Sequence, residues 1–170
     1  MKSVSVLSQD FIENMLRIAQ ENLARDGSLL TIVFLKLDDG RVSFTGIPMP
    51  EMYEDRRSVM QNLRQQVRDR GEDIREALVL MHSWFVGGAD AAGGLHMPPS
   101  QHPHRQEAII AIGRNAEHSR ASMVVQPYER KEAGSFVWVA PVVAQYDLPT
   151  DESNQVVGLV DDLFIPQGVH

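Results

Sequence analysis

Two apolar stretches, Ala77 to Val86 and Ala108 to Ile112, constrain this chain more than anything else in it. Neither alternates with polar residues as a half-exposed strand would, so both read as strands covered on two faces. Neither approaches the roughly 20 apolar residues of a membrane span. Between them, residues 86–105 hold four of the twelve glycines, three of the nine prolines and three of the six histidines. A hairpin usually closes in about 2–5 residues, and much longer connections are as a rule functional or unstructured. The segment from Gly87 to Arg105 is therefore where a site is expected first.

The remaining pattern supplies what covers these strands. Phe11, Ile12, Met15, Leu16, Ala19 and Leu23 recur at helical spacing, which predicts an amphipathic helix over 9–25. Ser8 suits its N-cap, Leu7 and Ile12 a hydrophobic staple, and Gly27 its end. Two β-rich runs flank Asp38-Asp39-Gly40 and predict a hairpin, the second presenting Val42 and Phe44 on its dry face. A second helix is expected over 51–70, with a stripe of Val59, Met60, Leu63 and Val67 and a stop at Gly71. Strands are expected over 76–86, 107–113, 122–129 and 135–142, with Pro127 marking a sheet edge or a bulge. The order α-β-β-α-β-β-β-β, with short links among the last strands, gives one α+β domain over 1–150: an antiparallel C-terminal meander with helices packed on the sheet. Residues 151–170 form an acidic tail; its apolar positions from Val156 to Phe164 suit a short helix, packed on its own domain or on a second subunit.

Composition excludes several classes. Without cysteine the chain has no disulfide, thiolate nucleophile or Cys-type zinc site. A net charge of −7 disfavours nucleic acid as a partner. The tail carries much of that imbalance, whereas residues 54–76 balance six arginines against six acids and read as a solvated, ion-paired face. The N-terminus is too weakly apolar for a signal peptide, so a soluble cytoplasmic protein without membrane attachment is expected.

Imidazoles make His96, His102 and His104 candidate transition-metal ligands, the one cofactor the residues leave open. His-Pro-His nevertheless fits no common metal motif. His82, within an apolar strand, reads as a core residue bonded to backbone or as a base lacking an identified partner. The glycines lack the Gly-Lys-Ser/Thr of a phosphate loop, and Ser83 lacks a nucleophile elbow. Trp84 and Trp138 read as core fillers or as the wall of a pocket.

The sequence Glu-Ala-Leu-Val-Leu-Met-His-Ser-Trp, then Pro-Ser-Gln-His-Pro-His-Arg-Gln-Glu-Ala-Ile, then Tyr-Glu-Arg and Phe-Val-Trp resembles a loose set of small uncharacterised prokaryotic and phage proteins. The resemblance covers about residues 76–142. It implies the strand assignments and singles out Pro99, Ser100, Pro103, Arg105 and Glu107, with no activity attached. In that set the position of His104 is often acidic, which counts against a metal. Arg105 and Glu107 lie two apart and share a face at a strand start, either binding an anionic group or pinning the loop.

Three readings follow. The first is a non-enzymatic binding or accessory protein, a homo-oligomer or partner of another protein, acting through the edge at Pro127, the tail or the long loop. The second is a small-molecule or nucleotide-related enzyme with His82, Arg105 and Glu107 as catalytic candidates under the loop. The third is a metal site on His96, His102 and His104.

Overall fold

A computed structural model describes residues 5–50, 52–86, 101–117, 120–131, 135–147 and 159–164. The architecture is α+β, a seven-stranded antiparallel sheet with a helix on each face. In chain order the elements are α1 (Gln9–Asp26), β1 (Thr31–Leu37), β2 (Val42–Ile47), α2 (Tyr53–Asp69), β3 (Ile74–Phe85), β4 (Gln106–Asn115), β5 (Arg120–Arg130), β6 (Phe136–Trp138) and β7 (Val142–Asp147). No described helix is long and apolar enough to cross a membrane.

Helix α1 begins and ends as its sequence dictates. Ser8 Oγ accepts the Phe11 amide at 3.2 Å, and Gly27 closes the helix in the left-handed region at φ 75°. Its stripe of Leu16, Ala19 and Leu23 packs with Phe34, Leu78, Leu80, Ile109, Ala111 and Tyr128. Burying a leucine such as Leu23 in this way stabilises by about 1.5–3 kcal/mol. Met60 and Val67 of α2 cover the opposite face, against Val33, Leu35, Val79, Ile110 and Ile112. Strands β3 and β4 are thus buried on both sides, as their unalternating composition requires.

The first hairpin turns through three residues rather than two. The Gly40 amide donates to the Leu37 carbonyl at 3.0 Å, and Gly40 takes φ 87°, the left-handed residue that follows a type I turn. Strand β2 departs from expectation, because its supposed dry side is open. Phe44 is 73% exposed, with its ring centroid 6.2 Å from that of Phe34. The reason is position: β2 is an edge strand, and the buried stripe of α1 packs over β1, β3, β4 and β5 instead.

Pro127 does not mark a free edge. Strand β5 pairs with β4 on one side and with β6 and β7 on the other. The expected single strand over 135–142 is broken opposite Pro127. Between the pairs Tyr128–Trp138 and Val125–Val142, residues 126–127 face residues 139–141, a one-residue bulge. The Pro127 carbonyl accepts the Val139 amide at 2.9 Å, so its missing N–H also points to this irregular side and costs no bond with β4. The Gln126 side chain donates to the Val139 carbonyl and pins the bulge.

Within the acidic tail, residues 159–161 form a helical turn that packs in cis on the α2 side. Leu159, Val160 and Leu163 are buried there. Asp162 receives Arg57 at 3.0 and 3.2 Å, and Asp161 pairs with Arg114.

Candidate functional site

Register alone places four side chains in one row across four strands on the α1 face. Trp84 of β3 stands opposite Glu107 of β4, Glu107 opposite Tyr128 of β5, and Tyr128 opposite Trp138 of β6. Residues paired this way point to the same side of a sheet. The row lies where β3 and β5 end and β4 begins. His82 and Arg130, each two residues from a member of the row, share its face.

Glu107 is the centre of this group. Its Oε2 accepts Arg130 Nε at 2.8 Å, while Arg130 also donates to the Gly27 carbonyl at 3.1 Å and so ties β5 to the end of α1. Its Oε1 lies 3.3 Å from His82 Nε2, close enough for electrostatic contact but off the line of a hydrogen bond. The Tyr128 ring packs 6.0 Å from His82 and 5.2 Å from Trp138, with Phe136 stacked on Trp138 at 5.9 Å. Arg130 passes 5.3 Å from the Phe136 ring.

Burial sets the protonation of the group. It pushes the His82 imidazole below its ordinary range, against the pull of Glu107, so the ring is neutral at pH 7. Burial and the Glu107 charge push the Tyr128 hydroxyl up to about 12. The cluster therefore holds a neutral imidazole, a neutral phenol, one carboxylate and one guanidinium.

Three buried side-chain polar atoms have no well-aligned hydrogen bond among the described residues, and two of them, His82 Nε2 and Tyr128 Oη, are in this cluster. Both lie within reach of Glu107, and Tyr128 also of Arg130, so their polar contacts are loose. Native interiors pair such atoms almost without exception.

The structure rearranges the candidate residues. Among the described residues the His82 side chain makes no bond to backbone, and the charged neighbour its sequence did not reveal is Glu107. Arg105 does not pair with Glu107 but lies 4.8 Å over the Trp84 ring, while its Nη1 and its amide both donate to the His102 carbonyl at 3.2 Å. Trp84 is not a core filler, being 37% exposed. Of the three metal candidates, His102 and His104 have ring centroids 5.7 Å apart, and His102 Nδ1 already accepts the His104 amide at 3.0 Å. His96, Pro99 and Ser100 lie outside the described residues. Among the described residues no three His, Asp or Glu side chains come together as a metal site. Tyr128 and Arg130 are absent from the residues the sequence singles out. Their signals are the Tyr-Glu-Arg of the resemblance and alternation: Gln126, Tyr128 and Arg130 lie on one face of a strand that a hairpin lays against Phe136 and Trp138.

Comparison of the chain with protein families, characterised proteins and solved structures finds no match.

Proposed function

We propose that the chain is a binding protein for a small, uncharged, planar molecule held at the Trp84–Glu107–Tyr128–Trp138 row. The observation that carries this reading is the pair of polar atoms without a well-aligned bond, His82 Nε2 and Tyr128 Oη, beside Glu107. A neutral imidazole and a phenol both offer N–H or O–H, so they suit a carbonyl oxygen or ring nitrogen. The adjacent carboxylate repels an anion, and the exposed ring of Trp84 offers apolar contact to a flat ligand. Both tryptophans of the chain flank the site, so intrinsic fluorescence reports directly on its occupancy.

The test is a fluorescence titration with planar carbonyl-bearing heterocycles such as uracil, nicotinamide and hypoxanthine, against saturated and anionic analogues. Binding by the neutral planar set, weakened about tenfold or more in Tyr128→Phe, is the expected result. No response from the whole planar set, or an unaltered affinity in Tyr128→Phe, overturns it.

One observation favours a second reading. A neutral imidazole 3.3 Å from a carboxylate also suits proton transfer. Conversion of a bound heterocycle, followed by NMR and abolished in His82→Gln, selects the enzyme; an unchanged spectrum selects the binding protein.

A further inference from the structure

On the opposite face of the sheet, under α2, lies a cavity of about 290 Å³, close to the lower end of small-molecule sites at about 300–1,000 Å³. Three arginines line it: Arg64 and Arg68 from α2, and Arg114 from β4. Among the described residues Asp73 is the acid in its wall, and Asp161 pairs with Arg114 beside it. Three guanidinium groups against two carboxylates leave one positive charge in excess, in a chain of net charge −7.

The three guanidinium groups are not equally engaged. Arg68 Nη1 binds Asp73 at 2.7 Å, which neutralises both. Arg114 pairs with Asp161 and stacks 4.7 Å over the Phe164 ring, yet its Nε is buried without a partner among the described residues. Arg64 makes no hydrogen bond or ion pair among the described residues, although it stands one helical turn from Arg68, the spacing at which like charges repel. Burial first and the Arg68 charge second lower the Arg64 pKa, against the pull of Asp73.

We infer that this cavity binds a phosphoryl dianion, free or as a small monoester, between Arg64 and Arg114. A planar carboxylate is matched by the two donors of one guanidinium fork, the geometry in which Arg57 meets Asp162. Donors from two separate elements suit instead a tetrahedral anion with several oxygens. The Phe164 ring and Leu163 supply an apolar wall for the remainder of an ester. The site shares no residue with the Glu107 cluster and does not rest on that assignment.

The experiment is thermal unfolding and calorimetric titration of the full chain with sodium phosphate and with glycerol 3-phosphate, each against sodium chloride at matched ionic strength. Phosphate is expected to raise the Tm beyond chloride. Arg64→Gln is expected to weaken binding by about tenfold or more, and Arg64→Lys to keep part of it. Without ligand, Arg64→Gln should keep or exceed the wild-type Tm, because it removes a repelling charge and no bond. Tighter binding of the ester than of inorganic phosphate assigns the site to a phosphorylated small molecule; equal or weaker binding assigns it to the free ion. Equal responses to phosphate and chloride, an undiminished affinity in Arg64→Gln, or a lowered Tm of that unliganded variant overturns the proposal.

Discussion

Glu76 and Glu107 sit on the same face of the same sheet, on adjacent strands, at opposite ends, and their surroundings differ in kind. Glu76 is 8% exposed and satisfied by its own chain, since Ser5 Oγ approaches its two oxygens at 3.0 and 2.9 Å and the Val6 amide donates at 3.1 Å. The segment carrying these donors is seated by Gly113, where a Cβ would come within 2.5 Å of Leu7 Cδ2. Glu107 has one firm partner, Arg130, and two neighbours held loosely. A buried carboxylate closed by local donors is a fastening. One with loosely placed polar neighbours is where the proposed ligand would complete the set.

The comparison can be broken by stability measurements. Glu76→Ala strands a buried hydroxyl and a buried amide and should cost about 2–3 kcal/mol in urea unfolding. Ser5→Ala, which removes one side of the same fastening, should cost about 1 kcal/mol. Glu107→Ala should cost less than about 1 kcal/mol, because Arg130 is 42% exposed and keeps its bond to Gly27. A loss at Glu107 equal to that at Glu76 would erase the distinction. Tyr128→Phe should be neutral or stabilising by up to about 1 kcal/mol, since it deletes a loosely bonded hydroxyl and keeps the ring. A clear loss would mean the hydroxyl is part of the fabric of the fold.

Titration sharpens the same contrast. The folded pKa of His82 is depressed below the ordinary 6.5, so the unfolded chain takes up the proton first. Stability contributed by the neutral ring is present above that value and lost as pH falls through the window beneath it. His82→Gln should remove this share of the pH dependence below the ordinary 6.5. For Tyr128 the sign is reversed. With a folded pKa of about 12 against the ordinary 10.0, stability falls as pH rises from 10 towards 12. Ultraviolet titration of the phenolates should show a late phase, and Tyr128→Phe should abolish it.

What could be read in advance divides along the range of the forces involved. The cap of α1, the Asp-Gly hairpin and the double burial of β3 are local in cause and were legible. The cluster was half legible. His82 and Glu107 stood out as polar residues in or beside apolar strands, but their meeting depends on the β3–β4 register. Arg130, 23 residues beyond Glu107, displaced Arg105 as its partner, which no spacing rule foretells. The arginine-rich stretch was read as paired and solvated, which holds for Arg68 with Asp73 and Arg70 with Glu72. Arg64 is the exception, because a residue from β4 forms the far wall of its cavity. Exposure of Phe44 was hidden for the opposite reason. An alternating strand signals that one side wants cover, not that a helix reaches far enough to provide it.

The bulge at Pro127 bears on how such sheets meet one another. Indefinite edge-to-edge growth requires two continuous margins, each able to template the next copy. Here one margin is interrupted between β6 and β7, while the other, β2, runs unbroken through the apolar side chains of Val42 and Phe44. A sheet with one continuous margin lacks the second that indefinite edge-to-edge growth needs.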